Sequence, residues 1–441
     1  MKKVSIIGFG RFGKTLYRLL KDDFSITIYN RSSLDLSSVD RNITIAKTIS
    51  KIYESEIIFY CVPISSFESV IKTHKKYFKH NHVLIDVLSV KMFPLFVLNK
   101  YLKNTKTQVL LAHPMFGPDS AKNGFEGLPM ILDRFMTSAD TYSFWKKYFE
   151  SKKLNVIEMS ALEHDRIAAN SQGLTHFIGR LLEEVNFSPT LIDSLGAKKL
   201  YEVKDQTCND TWQLFSDLQQ YNPFTKQMRL KLGQAYDKLY NRLLPKQAHP
   251  KFVTFGIQGG KGSFNDEAIQ RYIQKHAIKK YKIKFLYTSE KVLRNLHEGT
   301  IDFGLFATHN AVGGIVTESV IAMAKYTFKI IEEQEIVIRH FLMKRKDVLL
   351  SDITSIHAHS QNLKQCRGSL AQKYPNLKQE SGSGDLIDTA RAAQFLAEGK
   401  LSKTTAILGP RTLSDMYDFE IIDSDLQDLE HNVTSFLLVS R

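Results

Sequence analysis

A histidine followed by a proline, His113-Pro114, closes an apolar run over residues 108–112 and opens the segment HPMFGPDSAKNGFEGLP, residues 113–129. The run reads as a strand, and a proline lacks the N–H that would carry a ladder onward. The imidazole is therefore expected at the carboxyl edge of a strand, in a loop stiffened by Pro114, Pro118 and Pro129. Open α/β sheets bind their ligands at that edge, and a neutral imidazole there can take a proton near pH 7. A neighbouring strand over 83–87 runs into Asp86-Val-Leu-Ser89-Val-Lys91 and offers Ser89 as a hydrogen-bond partner for a substrate hydroxyl.

Such residues need a scaffold, and residues 4–29 begin one. An apolar strand over 4–7 leads into Gly8-Phe-Gly10-Arg-Phe-Gly13, a helical pattern over 14–20 and a second strand over 26–29. Between strand and helix the glycine triplet reads as a dinucleotide fingerprint. Gly8 permits the tight turn, Gly10 lets backbone approach a pyrophosphate, and Gly13 brings helix close to strand. The phosphates would sit on the helix N-terminus. The residue after the second strand selects the cofactor, since an acid there would bind the ribose 2′-hydroxyl of NAD and repel a 2′-phosphate. Here the chain has Asn30-Arg31-Ser32-Ser33. NADP is the expected cofactor, with Arg31 pairing its 2′-phosphate and Ser32 or Ser33 donating hydrogen bonds.

The chain of 441 residues is long enough for two or three domains, and 43% apolar with 24% charged residues is an ordinary globular balance. Lys and Arg number 60 against 46 Asp and Glu, a net charge of +14, which favours anionic partners such as small phosphates and carboxylates. The basic clusters at 74–82 and 279–284 are short and read as solvated faces, so no nucleic-acid partner is expected. The three cysteines, Cys61, Cys208 and Cys366, fit no metal or disulfide spacing. A reduced cytoplasmic protein is the expectation. The apolar run after Met1-Lys-Lys is too short for a signal peptide, and no run approaches the roughly 20 residues of a membrane span.

From residue 156 the pattern turns helical. Residues 160–185 carry a polar stripe, Asp165, Ala169, Gln172 and His176, spaced i, i+4, i+7, i+11, beside an apolar stripe of Leu174, Phe177, Ile178 and Leu181. Taken alone, the polar stripe is a solvated face. Residues 191–244 read as helix with enough apolar side chains to pack on a second subunit, and 243–251, with Pro245 and Pro250, reads as a linker. A new α/β unit follows: a strand over 252–257, Gly259-Gly-Lys-Gly262-Ser263-Phe264, then a helix from about 265. Its glycine turns and hydroxyls at strand ends point to a second anion-binding cleft. The tract 381–384 reads as a surface loop.

GFGRFGKTLYRLL (8–20), IDVLSVKMFP (85–94), HPMFGPDSAKNGFEGLP and EMSALEHDRIAANSQGLTHFIGRLL (158–182) together resemble the prephenate/arogenate dehydrogenase family, most closely its plant arogenate dehydrogenase branch. The resemblance covers about the first 245 residues. It implies a Rossmann domain over 1–155 and an all-α substrate and homodimerisation domain over 156–245. It implies oxidative decarboxylation, in which hydride leaves the ring carbon bearing the hydroxyl while a carboxylate leaves as CO2. His113 is then the base for that hydroxyl, Ser89 orients it, and Gln172 and His176 are substrate-side residues. The bacterial branch holds a substrate carboxylate with an arginine; the corresponding region, YEVKDQTCND (201–210), offers Lys204. Arogenate carries an ammonium where prephenate carries a keto group, and Asp165 is the candidate to face it.

Residues 251–441 resemble prephenate dehydratase, a two-lobed fold like the periplasmic binding proteins. GGKGSF (259–264), HSQNLKQC (359–366) and NVTSF (432–436) carry that likeness. It implies Thr434 for the dehydration step and Ser263, Asn310 and Gln361 for substrate. Departures from the family pattern at His309, Ala311 and Ser435 are expected to weaken the grip on the substrate. The whole therefore reads as a bifunctional enzyme of aromatic amino-acid biosynthesis acting on prephenate or arogenate. The rival is a dehydrogenase fused to a degenerate dehydratase-like module that binds a regulatory ligand.

Overall fold

The computed structural model describes residues 2–441 except 33–42, 104, 384, 385 and 387, so Ser33 and the end of the 381–384 tract lie outside the described residues. Contacts divide the chain into two compact units, Met1–Tyr236 and Asp237–Arg441. The division falls inside the helix Thr225–Leu243.

In the first unit, strands β1 (Lys3–Ile7), β2 (Ser25–Tyr29), β3 (Thr44–Ile45), β4 (Ile57–Tyr60), β5 (Val83–Asp86), β6 (Gln108–Pro114), β7 (Pro129–Met136) and β8 (Asn155–Glu158) form one sheet. Its order is β3-β2-β1-β4-β5-β6-β7-β8. The first six strands are parallel, in the doubly wound order of a Rossmann sheet. Their apolar runs are continuous because both faces are covered. Ile6, Phe59, Leu110 and Trp145 lie in the core on one side, Ile58, Tyr60, Leu84 and Leu111 in the core on the other.

Two local expectations change. β6 does not stop before His113-Pro114; it runs through both, pairing antiparallel with β7 in the register His113↔Ile131 and Pro114↔Met130. The proline's missing donor is tolerated because the next residue, Met115, gives its N–H to Pro129 O at 3.0 Å. His113 is thus held by a ladder rather than a loop. The helix expected over 160–185 is two helices, Ala161–Asn170 and Gln172–Glu184, broken at Ser171 (φ −115°, ψ −88°). Ser171 Oγ donates back to Ile167 O at 3.0 Å, the local competition through which serine weakens helix interiors. The break separates Asp165 from Gln172 and His176. Helices Leu195–Cys208, Trp212–Tyr221 and Thr225–Leu243 follow.

The second unit has two lobes. β9 (Val253–Ile257), β10 (Tyr281–Phe285), β11 (Phe303–Asn310), β12 (Gly314–Ile315) and β13 (Lys329–Val337) belong to the first. β14 (Phe341–Arg345), β15 (Ser355–His357), β16 (Lys378–Glu380), β17 (Thr405–Gly409) and β18 (Phe419–Asp423) form the second, and β19 (Val433–Ser440) returns to the first. The sheet orders are β10-β9-β11-β19-β13, with β12 on β11, and β16-β15-β17-β14-β18. The chain therefore crosses between lobes at 338–340 and again at 424–432. This is the expected two-lobed α/β architecture.

Candidate functional site

The glycine fingerprint is shaped for a diphosphate. Gly8 has φ +93°, and a Cβ there would lie 2.3 Å from Cys61 O; a Cβ on Gly13 would lie 2.2 Å from Gly8 O. Gly10, which caps the helix Arg11–Leu20, has nothing within 4 Å of the Cβ position and leaves an open approach. Asn30 Oδ1 accepts the Phe9 N–H at 3.1 Å while its Nδ2 donates to Ser32 Oγ at 2.9 Å. Asn30 thus braces the glycine loop, and Arg31 and Ser32 stand exposed beside it. These residues fit a dinucleotide.

At the carboxyl edge of the sheet, β5 pairs β6 in the register Asp86↔Leu111, which puts half-buried Ser89 and His113 just beyond the same edge. His113 is 2% exposed. Its Nδ1 lies 2.8 Å from His164 Nε2, and His164 Nδ1 lies 2.8 Å from Asp165 Oδ1. Asp165 also accepts the backbone N–H groups of Lys91 at 2.7 Å and Met92 at 2.9 Å. A carboxylate only accepts, so His164 carries its hydrogen on Nδ1, its Nε2 accepts from His113 Nδ1–H, and His113 Nε2 is left as a bare lone pair. Burial, reinforced by His164 and Lys91, holds the His113 imidazolium well below its ordinary range. Lys91 is itself buried, paired with Asp86 and donating to Ala112 O at 2.6 Å, which ties the end of β5 to the residue before His113. Asp165 was a candidate from the sequence, but His164 beside it was not.

This geometry corrects the role expected of Asp165. Both of its oxygens are engaged beneath His164, it is fully buried, and no face is left for a substrate ammonium. Lys204 is also placed otherwise. Its ammonium closes the turn after the helix Gln172–Glu184, donating to Phe187 O at 2.7 Å and pairing Glu183 at 3.1 Å. The cation on the same helix as Gln172 and His176 is Arg180, which was not among the sequence candidates. Gln172, His176 and Arg180 share one helix face at i, i+4 and i+8. Gln172 Oε1, His176 Nδ1 and Arg180 Nε are all buried without a partner among the described residues. The stripe is therefore not a simple solvated face, since three of its polar atoms are buried. Arg180 Nη2 donates to Asp210 O at 2.6 Å, and the Asp210 charge partly offsets the burial that lowers His176. Arg11, inside the fingerprint, reaches Asp210 at 3.2 Å and Asp119 at 2.8 Å. Glycine loop, His113 segment and helical stripe therefore converge.

In the second unit the chain brings Ser263, Asn310, Gln361 and Thr434 to one cleft. Ser263 caps the helix Phe264–Lys275, accepting the Asp266 N–H at 3.3 Å. The first turn of that helix lines the cleft, and first-turn N–H groups lack intrahelical acceptors. Asn310 Nδ2 donates to Thr434 Oγ1 at 2.8 Å. Gln361 Nε2 donates to Ile315 O at 3.1 Å, while its Oε1 is buried without a partner among the described residues. Asp388, unforeseen, lines the cleft and accepts from Gly260 N and Arg391 N, and burial pushes its carboxyl up to about 6.

The departures His309 and Ser435 lie elsewhere. On β19, Thr434 and Phe436 line the cleft, so Ser435 between them faces the other side of the pleat, opposite exposed His309 on β11. Neither side chain lines the cleft. Among the described residues, no cluster of His, Cys, Asp or Glu could hold a metal, and no helix is long and apolar enough to cross a membrane.

Residues 21–157 match the prephenate dehydrogenase nucleotide-binding domain, 255–441 match prephenate dehydratase, and 181–251 match a TYRAAT1-like C-terminal domain. Arogenate dehydrogenase 2, chloroplastic, of Arabidopsis thaliana is 31% identical over 253 residues, covering 55% of this chain and 70% of that protein. Arogenate dehydrogenase 1, chloroplastic, of the same plant is 30% identical, covering 56% of this chain but 40% of its own length. The bifunctional chorismate mutase/prephenate dehydratase of Buchnera aphidicola subsp. Acyrthosiphon pisum is 26% identical, covering 46% of this chain and 49% of that protein. The chain thus spans less than half the length of two of these relatives.

Proposed function

Since the chain belongs to the prephenate/arogenate dehydrogenase family and carries a prephenate dehydratase domain, we propose that it is a bifunctional enzyme drawing on one branch-point substrate. The first unit oxidatively decarboxylates prephenate or arogenate, and the second dehydrates and decarboxylates prephenate. The observation that carries the first half is the His113–His164–Asp165 chain, which aims a bare imidazole nitrogen from the ligand edge of a Rossmann sheet.

In the dehydrogenase site His113 Nε2 takes the proton of the ring hydroxyl, and Ser89 holds that hydroxyl's oxygen. As the proton moves, positive charge grows on His113 and is shared toward His164 and Asp165. Arg180, with Gln172 and His176, holds the side-chain carboxylate of the substrate. NADP, when bound, supplies the hydride acceptor. The acid facing the stripe is Asp210, not Asp165. Asp165→Asn should therefore lower dehydrogenase kcat by roughly tenfold or more, the value of a hydrogen bond to a charged group. The ratio of kcat/KM for arogenate over prephenate should stay fixed, and a shifted ratio would return Asp165 to the substrate side.

NADP should be used with at least about tenfold higher kcat/KM than NAD, because a guanidinium pairs a 2′-phosphate. Arg31→Ala should narrow that preference and leave NAD kinetics within about twofold; equal use of both by the wild type would reject NADP. Leu191, Ile192, Leu195, Trp212, Leu239 and Leu243 are exposed on the helical part and support a homodimer through it. The three free thiols suit a reducing compartment, the cytoplasm in our reading.

The cleft of the second unit keeps Ser263, Asn310, Gln361 and Thr434 together, which favours a working dehydratase over a binding module. Incubating the full chain with prephenate and identifying products tests both halves. With NADP, 4-hydroxyphenylpyruvate and CO2 are expected; without it, phenylpyruvate above the spontaneous acid-catalysed rate.

A further inference from the structure

A chain of buried side chains leads from the cleft to the place where the second unit's two lobes join. Asn310 Oδ1 accepts two backbone N–H groups, Val312 at 2.9 Å and Gly313 at 2.6 Å, which only an oxygen can do. Its Nδ2 must then face Thr434 Oγ1 at 2.8 Å and Asn432 Oδ1 at 2.6 Å. That orientation sets the next one: Asn432 Nδ2 donates to Gln365 Oε1 at 2.6 Å. The same oxygen lies 2.8 Å from His340 Nε2, so His340 carries its hydrogen on Nε2. Every amide in the row has one allowed orientation.

The row is dry. His340 and Asn432 have no exposure, and Asn310 and Gln365 have 1% and 4%. A hydrogen-bonding group stripped of its partner there costs far more than on the surface. It also spans the joint between lobes. His340 and Asn432 lie on the two crossings, 338–340 and 424–432, which are fastened by Ile338 N to Asn432 O at 2.7 Å and Leu426 N to His340 O at 3.1 Å. Gln365 ends a helix of the second lobe, while Asn310 and Thr434 belong to the first. The ring of Phe264, whose helix turn lines the cleft, meets His340 edge-on at 5.4 Å. Burial keeps His340 neutral by pushing it down to about 4.

We propose that His340 is a positioning residue for the dehydration, acting through Gln365, Asn432 and Asn310 to fix the direction of the Thr434 hydroxyl. Thr434 Oγ1 accepts from Asn310, and its own hydrogen has no acceptor among the described residues, so that hydrogen is turned toward the substrate. The proposal rests on the dehydratase reading of this cleft. No new bond is made or broken; the row only decides which way one O–H donates.

The test uses the full chain with prephenate and no NADP, reading phenylpyruvate with the spontaneous rate subtracted. His340→Leu should lower kcat roughly tenfold, the order of one net hydrogen bond, with KM within about twofold. His340→Gln, whose Nε2–H can again donate to Gln365, should return kcat to within about threefold of wild type. Should His340→Leu fail to fold, His340→Asn, too short to reach Gln365, carries the same expectation. Wild-type kcat in the folded variant, a loss confined to KM, or no recovery by His340→Gln would overturn the relay alone. A wild-type chain no faster than the spontaneous reaction would overturn the dehydratase reading and the relay with it.

Discussion

His113→Asn should lower the turnover of oxidative decarboxylation by roughly 10²–10⁴, the range for a lost general base, and leave dinucleotide affinity within about twofold. Asparagine keeps a donor toward His164 but has no basic lone pair, so the change removes the chemistry and little of the packing. The size of the loss follows from the arrangement. Asp165 fixes the tautomer of His164, and His164 fixes that of His113, so Nε2 need not reorganise as it takes the proton. The pH profile carries the same signature. Protonated imidazole cannot act as base, and the His113 imidazolium is depressed by burial. The acid limb of kcat/KM should therefore lie well below pH 6.5, with no loss attributable to His113 between about pH 6.5 and 8. Stability has the same sign: the unfolded chain binds this proton below about pH 6.5 while the fold resists it, so the contribution is lost as pH falls through that window. A fall in turnover of less than about fivefold would make His113 a strand-end residue with no part in the reaction.

What was legible in the sequence was what is local. The fingerprint could be read because strand, glycine turn and helix are consecutive, and each glycine's task is set by neighbours a few residues away. His113 could be read because a proline follows it, although the ladder with β7 carries both residues into the strand. What was not legible depends on distant partners. His164 reaches His113 across 51 residues, and Asp165 looked like one member of a helical stripe. The stripe itself failed at Ser171, where a single back-bonded hydroxyl divides the helix and leaves Gln172, His176 and Arg180 as the polar face. Lys204 was named from the place of its segment in the chain, which does not tell where the side chain points; it turns to Phe187 O instead. In the second unit, alternation along NVTSF would have placed Ser435 opposite Thr434. Which face the second lobe closes over is not written in that strand, and the pairing of β11 with β19 shifts register between Ala307 and His309.

That pleat bears directly on the second large effect. Dehydration of prephenate expels the ring hydroxyl as the carboxylate leaves, and the electron pair of the breaking C–C bond moves through the ring to the departing oxygen. In the proposed reaction Thr434 donates to that oxygen; its own oxygen accepts from Asn310, and the first turn of the helix Phe264–Lys275 lines the same cleft. Thr434→Ala should reduce phenylpyruvate formation by roughly 10²-fold or more, as loss of one preorganised donor to developing negative charge does. Thr434→Ser should keep most of it, because the hydroxyl and its Asn310 partner remain. Neither change should alter the oxidative decarboxylation that we assign to the first unit. The departure at Ser435 is a weaker influence than the motif alone implies: Ser435→Arg places a charge on the side of β19 away from Thr434 and should change kcat less than about threefold. If Ser435→Arg instead raises dehydration tenfold, the charge acts on the cleft from a distance and the placement argument fails. If the wild type never exceeds the spontaneous rate, the enzyme reading of the cleft gives way to a binding module. Prephenate, phenylalanine or tyrosine should then raise the melting temperature of the second unit, and Thr434→Ala should weaken that shift by removing a donor to the ligand rather than a step in a reaction.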